Sequence, residues 1–227
     1  MKVGYRFRFY PAEAQKKELA RVFGSCRYVY NWALRLRTDA YYKEGRSVGY
    51  EATSAALTEL KRKPDHEWLN EVSSVPVQQS LRHLQTAFVN FFEKRARYPS
   101  FKKKTGDQSA EYTRSAFKWD AQNRNLSLAG IGRLRIRWSR GFASIPTTVT
   151  VTKDTAERYF VTLCLDETTG KLPPVHKAVG IDLGITAIAT LSTGEKIQNP
   201  KHLAQIEQGL ARAQRDLSRK TKGSKRR

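Results

Sequence analysis

The chain has 227 residues, and 42 lysines and arginines against 21 aspartates and glutamates give it a net charge of +21 and a pI near 10.2. This excess is far above the roughly 2 to 8 charges of a small soluble domain. With 11% aromatic residues it favours a nucleic acid over a membrane surface as partner. No run of about 18 apolar residues is present, which excludes a transmembrane span, and the first residues lack the apolar core of a signal peptide.

The first predicted elements are a strand and a helix. Apolar side chains at every second position from Val3 to Phe9 alternate with Arg6 and Arg8, which gives the strand a basic face that we expect to contact nucleic acid. Pro11 suits the first turn of a helix. Apolar residues at three- and four-residue steps then predict the buried face of that helix: Leu19, Val22, Phe23, Cys26, Val29, Tyr30, Ala33 and Leu34.

Two more helices are predicted after a break at Gly45, a short one over about 51–61 and a long one with apolar residues at helical spacing over 77–91. The long helix leads into residues 94–104, which contain six basic residues and interleaved aromatic ones. This pattern favours a nucleic-acid contact over a solvated helix end. The candidates for contact with a phosphate backbone in this segment are Lys102, Lys103 and Lys104.

From about 111 to 166 the apolar period changes to two, which predicts antiparallel strands. One of these strands should carry Arg133, Arg135 and Arg137 on a single face. Such a face can protect a sheet edge from aggregation, but in a chain of this charge we favour a face that follows phosphates. The predicted fold class is α+β, with an antiparallel oligonucleotide-binding-like barrel interrupted by a helical insertion.

After a predicted linker at 168–174, residues 178–194 predict a buried strand, a tight turn and a second antiparallel strand. A single acid, Asp182, lies near the end of the first strand between Gly180 and Gly184. An amphipathic helix with apolar residues from Leu203 to Leu217 follows, and the chain ends on a basic segment.

Three interpretations of Asp182 are open. It can cap its own turn. It can be the first carboxylate of an RNase H-like nuclease, in which several acids hold paired Mg2+ ions, or it can belong to the phosphate-binding turn of an actin-like or sugar-kinase-like ATPase. The strong positive charge and the late position of the motif favour the nuclease.

The chain resembles the TnpB (OrfB) family of insertion-sequence proteins, labelled transposases and related to type V CRISPR effectors. The resemblance is carried by short motifs along nearly the whole chain: Tyr10-Pro11, Gln15, Arg27-Tyr28-Val29-Tyr30-Asn31, Val75-Pro76, Gln79, Leu84, Ala87, Phe91-Phe92, Tyr98-Pro99-Ser100-Phe101-Lys102-Lys103 and Gly180-Ile181-Asp182-Leu183-Gly184.

The resemblance implies an RNA-guided DNA endonuclease of the cytoplasm and nucleoid. Its partners would be a guide RNA from the transposon end and a double-stranded DNA target with a short adjacent motif. The wedge barrel would comprise 1–11 and 106–174, the recognition lobe 12–105, and the start of the RuvC nuclease 175–227. Asp182 would be the first catalytic carboxylate and a Mg2+ ligand, and Tyr50, Gln78 and Gln79 lie where the recognition lobe would read bases.

The sequence departs from the family pattern after Asp182. A central-strand glutamate, a Cys-x-x-Cys zinc insertion and a final aspartate are expected there, but the remaining acids are Glu195, Glu207 and Asp216. One carboxylate cannot fix two Mg2+ ions about 3.5–4 Å apart. We therefore expect either the N-terminal part of a longer nuclease, with its zinc in the missing insertion, or a catalytically inactive module that binds RNA or DNA.

Overall fold

The computed structural model describes residues 1–167 and 178–224. The predicted linker at 168–174 and the last basic residues, 225–227, lie outside the described residues, as does the side chain of Leu203. The chain folds as two compact units, residues 1–170 and 171–227. The predicted division into three domains stays a prediction.

The described residues form four α-helices, two short 3₁₀ helices and eleven strands. The helices are α1 (Glu13–Glu44), α2 (Tyr50–Arg62), α3 (Ser74–Phe92) and α4 (His202–Ser218), with short 3₁₀ helices at Pro64–Asn70 and Arg114–Ala116. The strands are β1 (Lys2–Phe9), β2 (Gln108–Thr113), β3 (Phe117–Asp120), β4 (Asn125–Leu128), β5 (Gly132–Arg133), β6 (Ile136–Arg137), β7 (Thr148–Lys153), β8 (Tyr159–Asp166), β9 (Ile181–Leu183), β10 (Ala187–Leu191) and β11 (Lys196–Gln198).

The longest element, α1, has well-defined ends. Near its start, the side-chain oxygen of Gln15 accepts a hydrogen bond of 3.1 Å from the backbone N–H of Ala12. At its other end, Gly45 adopts a φ of 64° and donates its N–H to the carbonyls of Ala40 and Tyr41. Glycine has no Cβ to oppose this left-handed conformation, so the predicted break at this position is confirmed.

The strands of the first unit form two antiparallel sheets, which confirms the α+β class. The larger sheet has the order β2-β7-β8-β1-β6, and β1 pairs with β8 along its full length, from Lys2 opposite Asp166 to Phe9 opposite Tyr159. The smaller sheet has the order β3-β4-β5. The alternation predicted for β1 holds, because Phe7 and Phe9 are each 1% exposed while Arg6 is exposed.

The single strand predicted around the three arginines is wrong. Residues 132–133 pair with β4 in the smaller sheet, whereas residues 136–137 pair with β1 in the larger one. The backbone between them leaves one sheet and enters the other. The alternation of side chains nevertheless survives, since Arg133, Arg135 and Arg137 are exposed and Leu134 between them is buried.

Two apolar clusters form the core of the first unit, and α1 contributes to both. Its N-terminal half supplies Leu19 and Phe23 to the cluster between helix and sheets. Its C-terminal half supplies Val29 and Leu34 to a second cluster with α2 and α3. Burial of aliphatic and aromatic side chains stabilises each cluster by about 1.5–3 kcal/mol per residue. The helix therefore joins the sheet-based and helical parts of the unit.

The second unit contains a three-stranded antiparallel sheet, β11-β10-β9, followed by α4. The predicted strand–turn–strand is confirmed, and Gly194 adopts a φ of 90° in the turn after β10. The expectation of a buried first strand is wrong: Ile181 is 59% exposed and Leu183 is 76% exposed. Apolar residue types made this strand look buried, but among the described residues β9 pairs only through its hydrogen-bonded edge with β10.

Within residues 1–167 and 178–224, none of the helices combines the length and apolar character needed to cross a membrane.

Candidate nucleic-acid interface and carboxylate site

Two arginines of β1 stack on aromatic rings. The guanidinium carbon of Arg6 lies 4.0 Å from the ring centroid of Phe160, and that of Arg8 lies 5.2 Å from the same ring and 5.5 Å from Tyr10. Neither arginine forms an ion pair within the described part of the chain, and Arg8 Nε has no hydrogen-bond partner there. Stacking holds the guanidinium planes while their N–H groups can bind an anion such as a phosphate.

The three arginines at 133, 135 and 137 lie along the crossing between the two sheets. The side-chain amide of Gln15 donates to the carbonyl of Arg133 at 2.8 Å, and the backbone N–H of Tyr10 donates to the carbonyl of Arg135 at 3.0 Å. The backbone that carries these side chains is therefore tied to α1 and to the end of β1. The charged ends remain exposed, which suits contacts to a phosphate backbone.

A shallow groove lies beside two of these arginines. It is lined by Asn123, Arg124, Asn125, Arg133, Leu134, Arg135, Ile136 and Trp138. Arg124 stacks over Trp138, with 5.3 Å from its guanidinium carbon to the ring centroid. The groove thus combines cations, amides and an aromatic face, the group types that bind single-stranded nucleic acid.

The segment carrying the three lysines is fixed to α1 by Asn31. The side-chain amide of Asn31 donates to the carbonyl of Lys102 at 3.0 Å, and its side-chain oxygen accepts from the backbone N–H of Lys102 at 2.8 Å. Lys102 is exposed, but its ammonium lies 4.3 Å from the ring centroid of Tyr30, and partial desolvation of this group lowers its pKa. Lys103 and Lys104 are exposed.

Two of the three candidates for base reading are in contact. The side-chain amide of Gln78 donates to the hydroxyl of Tyr50 at 2.8 Å and to Ser54 Oγ at 2.7 Å. Both amide hydrogens are thereby used, so a bidentate contact from Gln78 to adenine would require these bonds to be exchanged. Arg82 lies over the Tyr50 ring at 4.7 Å, and Gln79 is half-buried.

Asp182 lies in β9, and a short hairpin holds its backbone. The backbone N–H of Gly180 donates to Ser192 Oγ at 3.0 Å, and the backbone N–H of Ser192 returns a bond of 2.8 Å to the Gly180 carbonyl. A Cβ at Gly184 would lie 3.2 Å from the carbonyl oxygen of Ala187, so glycine permits the close return of the chain. The Asp182 side chain is exposed, and within the described chain it accepts no bond from its own turn.

The described residues do not form a metal site around this carboxylate. In 1–167 and 178–224, no group of three or more His, Cys, Asp or Glu side chains is placed to hold a metal ion. A pair of Mg2+ ions requires several carboxylates in one site. The described part of the chain therefore does not fit a two-metal centre by itself.

The two cysteines, Cys26 and Cys164, are free, and Cys26 is buried. Cys26 is 4% exposed, and burial raises the pKa of its thiol to about 11. The thiol is protonated at neutral pH and is unsuited to metal binding or nucleophilic attack. Cys164 is half-buried.

The structure gathers the predicted basic candidates into the first unit and places Asp182 in the second. Sequence reasoning missed the roles of Asn31 and Gln15, whose side chains hold the backbones of Lys102 and Arg133. A polar side chain on a basic helix face gave no signal of a distant partner. The role of Trp138 in lining the groove was also missed.

Comparison with known proteins identifies related sequences. A family profile described as a helix-turn-helix domain matches residues 1–46, and one described as a probable transposase matches 148–227; both are profiles of the IS605 OrfB type. In this chain, residues 1–46 contain β1 and one continuous helix, α1, rather than two helices joined by a turn.

Two curated relatives align with almost the whole chain. One, from Streptomyces pristinaespiralis, is 54% identical over 99% of this chain and is named "Putative RNA-guided DNA endonuclease". Another, "Putative RNA-guided DNA endonuclease InsQ" from Escherichia coli strain K12, is 33% identical over 97% of this chain. The chain spans about half of their lengths, 56% and 54% respectively.

Among solved structures, one titled "Cryo-EM structure of CRISPR-Cas12f Ternary Complex" aligns with 93% of this chain and 55% of that chain, at a TM-score of 0.35 and 11% identity. A likeness this distant carries no argument about the fold. The two profiles and the two near-complete sequence alignments are sufficient: the chain belongs to the OrfB (TnpB) family of IS605-type insertion-sequence proteins.

Proposed function

We propose that this chain provides the nucleic-acid-binding part and the first nuclease strands of an RNA-guided DNA endonuclease. The observation that carries the proposal is the 54% identity, over 99% of the chain, to a relative with that name. The net charge of +21 and the exposed arginines of the first unit support a polyanionic partner. The partners would be a guide RNA from the transposon end and duplex DNA with a short motif beside the target.

The domain assignment belongs to the same proposal. The sheets at 1–11 and 106–174 would form the wedge barrel, and the helices at 12–105 would form the recognition lobe. Contacts of β6 with β1 and of β5 with β4 favour a barrel-like arrangement, because one short segment joins the two sheets. Residues 175–227 would begin a RuvC domain. Tyr50 and Gln79 would belong to the recognition lobe.

Asp182 would be the first carboxylate of that nuclease and a ligand of Mg2+. Its place on a strand next to an antiparallel neighbour agrees with the strand–turn–strand opening of an RNase H-like fold. Bound Mg2+ ions would activate water and stabilise the leaving oxygen of a phosphodiester. Because the described residues offer no further carboxylate beside Asp182, we propose cleavage only for the chain joined to additional acidic residues.

A chimera tests this function. Residues 1–227 are joined to the remaining C-terminal part of the Streptomyces pristinaespiralis relative, and cleavage of plasmid DNA is measured with that relative's guide RNA and Mg2+. We expect guide-dependent cutting that Asp182→Asn reduces at least about a thousandfold, because loss of a metal ligand removes several kcal/mol of transition-state stabilisation. The control is Asp216→Asn, an exposed acid of α4. Equal cutting by the chimera and its Asp182→Asn variant would refute the assignment.

A second candidate is an RNA- or DNA-binding module that does not cut. It is favoured by the single carboxylate near the β9 turn in the described residues. In this case the chain binds tightly, with an affinity that falls steeply with salt, and the chimera stays inactive with every divalent metal while retaining RNA binding. Binding that does not change with salt would exclude both candidates.

A further inference from the structure

A pocket opens in the helical part of the first unit, away from the candidates described above. It lies where the C-terminal end of α1, the loop after Gly45 and the end of α3 meet. Its lining is mostly aromatic: Arg37, Tyr41, Tyr42, Ser47, Val48, Phe88, Phe91, Phe92 and Tyr98. Val48 and Phe88 are 5% exposed each and form its floor.

Four rings of this pocket form one continuous group, those of Phe88, Phe91, Phe92 and Tyr98, while Tyr41 and Tyr42 contact each other. Phe91 lies 5.3 Å from Phe92 and 5.2 Å from Tyr98 between ring centroids, and Phe88 stacks with Phe92 at 6.2 Å. The hydroxyl of Tyr98 is hydrogen-bonded to Thr38 Oγ1 at 2.8 Å. These contacts hold the four-ring group in place.

A cation without a carboxylate partner forms one wall. The guanidinium carbon of Arg37 lies 4.0 Å from the ring centroid of Phe88, and its one hydrogen bond in the described structure goes to Gln85 Oε1 at 2.9 Å. Burial lowers the pKa of Arg37, although arginine stays charged at neutral pH. A half-buried guanidinium with most of its N–H groups unused is costly unless an anion or a polar ligand reaches it.

Large aromatic side chains at the rim are open to solvent. Tyr42 is 75% exposed, Phe92 71% and Tyr41 62%. Exposed apolar clusters of this kind mark binding surfaces. Their surroundings are positive, because residues 94–104 contain six basic side chains and no acidic one, and this same segment supplies Tyr98 to the pocket.

The acidic side chains nearest the rim are already paired with bases. Glu44 contacts Arg46 at 2.8 Å, and Glu93 contacts Arg95. Asp39, one turn before Lys43, contacts it at 3.5 Å. The unpaired charge beside the pocket is thus positive, which favours an anionic occupant over a basic or neutral peptide.

We infer that this pocket binds an unpaired RNA nucleotide, with its base stacked against Phe92 and Tyr42 and its phosphate beside Arg37 and the basic segment. Unpaired RNA bases are commonly held between aromatic rings and arginine planes. The hydroxyls of Tyr41, Tyr42 and Ser47 are able to bond a ribose 2′-OH, a group that DNA lacks. The inference rests on the proposed function only in taking RNA as a ligand, and it requires no cleavage.

The test is fluorescence anisotropy of the full 227-residue chain with a short, labelled, unstructured oligoribonucleotide at fixed salt. Phe92→Ala and Tyr42→Ala should each weaken binding by about 5- to 100-fold, the usual loss for one stacked base. Both side chains are mostly exposed, so these variants should fold. Phe92→Leu separates stacking from apolar area, and we expect it to bind about as weakly as Phe92→Ala.

The matched control is Val89→Ala, which shortens an exposed apolar side chain on the same helix outside the pocket lining and should bind like wild type. A DNA oligonucleotide of the same sequence should bind at least about fivefold more weakly to wild type, and this difference should shrink in Tyr42→Phe if its hydroxyl contacts the ribose.

The outcomes separate this inference from the proposed function. If wild type does not bind RNA, both are wrong. If wild type binds RNA but Phe92→Ala and Tyr42→Ala bind equally well, the pocket is not the site and only this inference falls. Preference for DNA over RNA, or wild-type binding by Phe92→Leu, would also overturn it.

Discussion

The two units of this chain use apolar residues differently. In the first unit, Leu19 and Leu163 are fully buried, whereas in the second unit Leu183 is 76% exposed and Ile185 is 89% exposed. Both units contain strands with strongly apolar sequences. The difference shows that a sequence pattern can define a strand without defining what covers it, because burial depends on the surfaces that pack against the strand.

The comparison also concerns stability. Each fully buried aliphatic residue of the first unit contributes about 1.5–3 kcal/mol relative to the exposed state. A three-stranded sheet gains independent stability when it buries an apolar face. Among the described side chains of 178–224, Ala189 is the only buried apolar one, so the sheet there buries very little apolar surface. The second unit therefore has little of the stabilisation that holds the first together.

The largest expected effect is in amide hydrogen exchange. Amides of β8 should exchange only when the first unit unfolds, while amides of β9 should exchange through local opening that has a low free-energy cost. We expect rates that differ by about a thousandfold, equivalent to about 4 kcal/mol. Hydrogen exchange measured by mass spectrometry on the intact chain checks this. Equal protection of the two strands would show that the two units do not differ in stability.

One core substitution and one surface substitution give the next largest effect. Leu19→Ala should lower the free energy of unfolding of the first unit by about 2–5 kcal/mol, because it leaves a cavity at a site that is 0% exposed. Ile185→Ala should change stability by less than about 0.5 kcal/mol. Urea unfolding followed by tryptophan fluorescence reports on the first unit, which contains all 4 tryptophans.

For Ile185→Ala the readout is exchange of the β9 and β10 amides, because residues 171–227 contain no tryptophan. If Ile185→Ala accelerated this exchange as strongly as Leu19→Ala destabilises the first unit, Ile185 in the turn between β9 and β10 would be packed in solution, and the contrast between the units would be wrong.

Removing charge should reduce nucleic-acid affinity without affecting folding. Replacing Arg133, Arg135 and Arg137 with alanine should lower the slope of log affinity against log salt by about 2, at about 0.7 per phosphate contact for single strands. A control with the same change of net charge replaces three ion-paired bases, Lys16, Arg21 and Arg62. Filter binding across a salt series measures both, and identical slopes would show that net charge alone governs binding.

The smallest effect concerns a side-chain hydrogen bond that links His83 of α3 to Glu111 of β2 in the first unit; within residues 178–224 no two side chains are joined by a hydrogen bond. The side-chain oxygen of Glu111 lies 2.9 Å from His83 Nε2, and this hydrogen bond lowers the pKa of Glu111 below its ordinary value of 4.5. A lowered carboxyl pKa stabilises the fold above the unfolded value, and the contribution is lost as the pH falls through the folded value.

Glu111→Gln should therefore cost less than about 1 kcal/mol at pH 6, and this cost should shrink as the pH falls below 4.5. Urea unfolding of wild type and variant over this pH range measures the difference. A cost that stayed constant with pH would assign the effect to packing rather than to charge.

Much of the fold could be predicted from the sequence wherever the spacing of apolar residues corresponds to a surface that packs against them. The apolar side chains of β1 and of the α1 stripe are packed in the core of the first unit, so both predictions hold. The three-arginine strand failed because residues 132–133 and 136–137 pair with different strands, a choice made by tertiary pairing rather than by local pattern. The burial of β9 failed for the same kind of reason.

The candidate site divides in a similar way. Charge and composition pointed to nucleic acid, and the exposure of Arg133, Arg135 and Arg137 agrees with the predicted basic face. The pocket of Arg37, Tyr42 and Phe92 could not be predicted, since its parts come from two helices and a loop that are distant in sequence. Its only sequence signal was the alternation of aromatic and basic residues near Tyr98.

The length of α1 means that a movement at one of its ends is transmitted to the other. At 32 residues it is a rod about 48 Å long, and its two halves belong to different clusters. A tilt of about 5° at the sheet would move its far end, where Tyr41 and Tyr42 lie, by about 4 Å. A nucleic acid that reorients the sheet would therefore also displace Tyr41 and Tyr42. In the same way, a ligand that moves these two tyrosines would reorient the sheet.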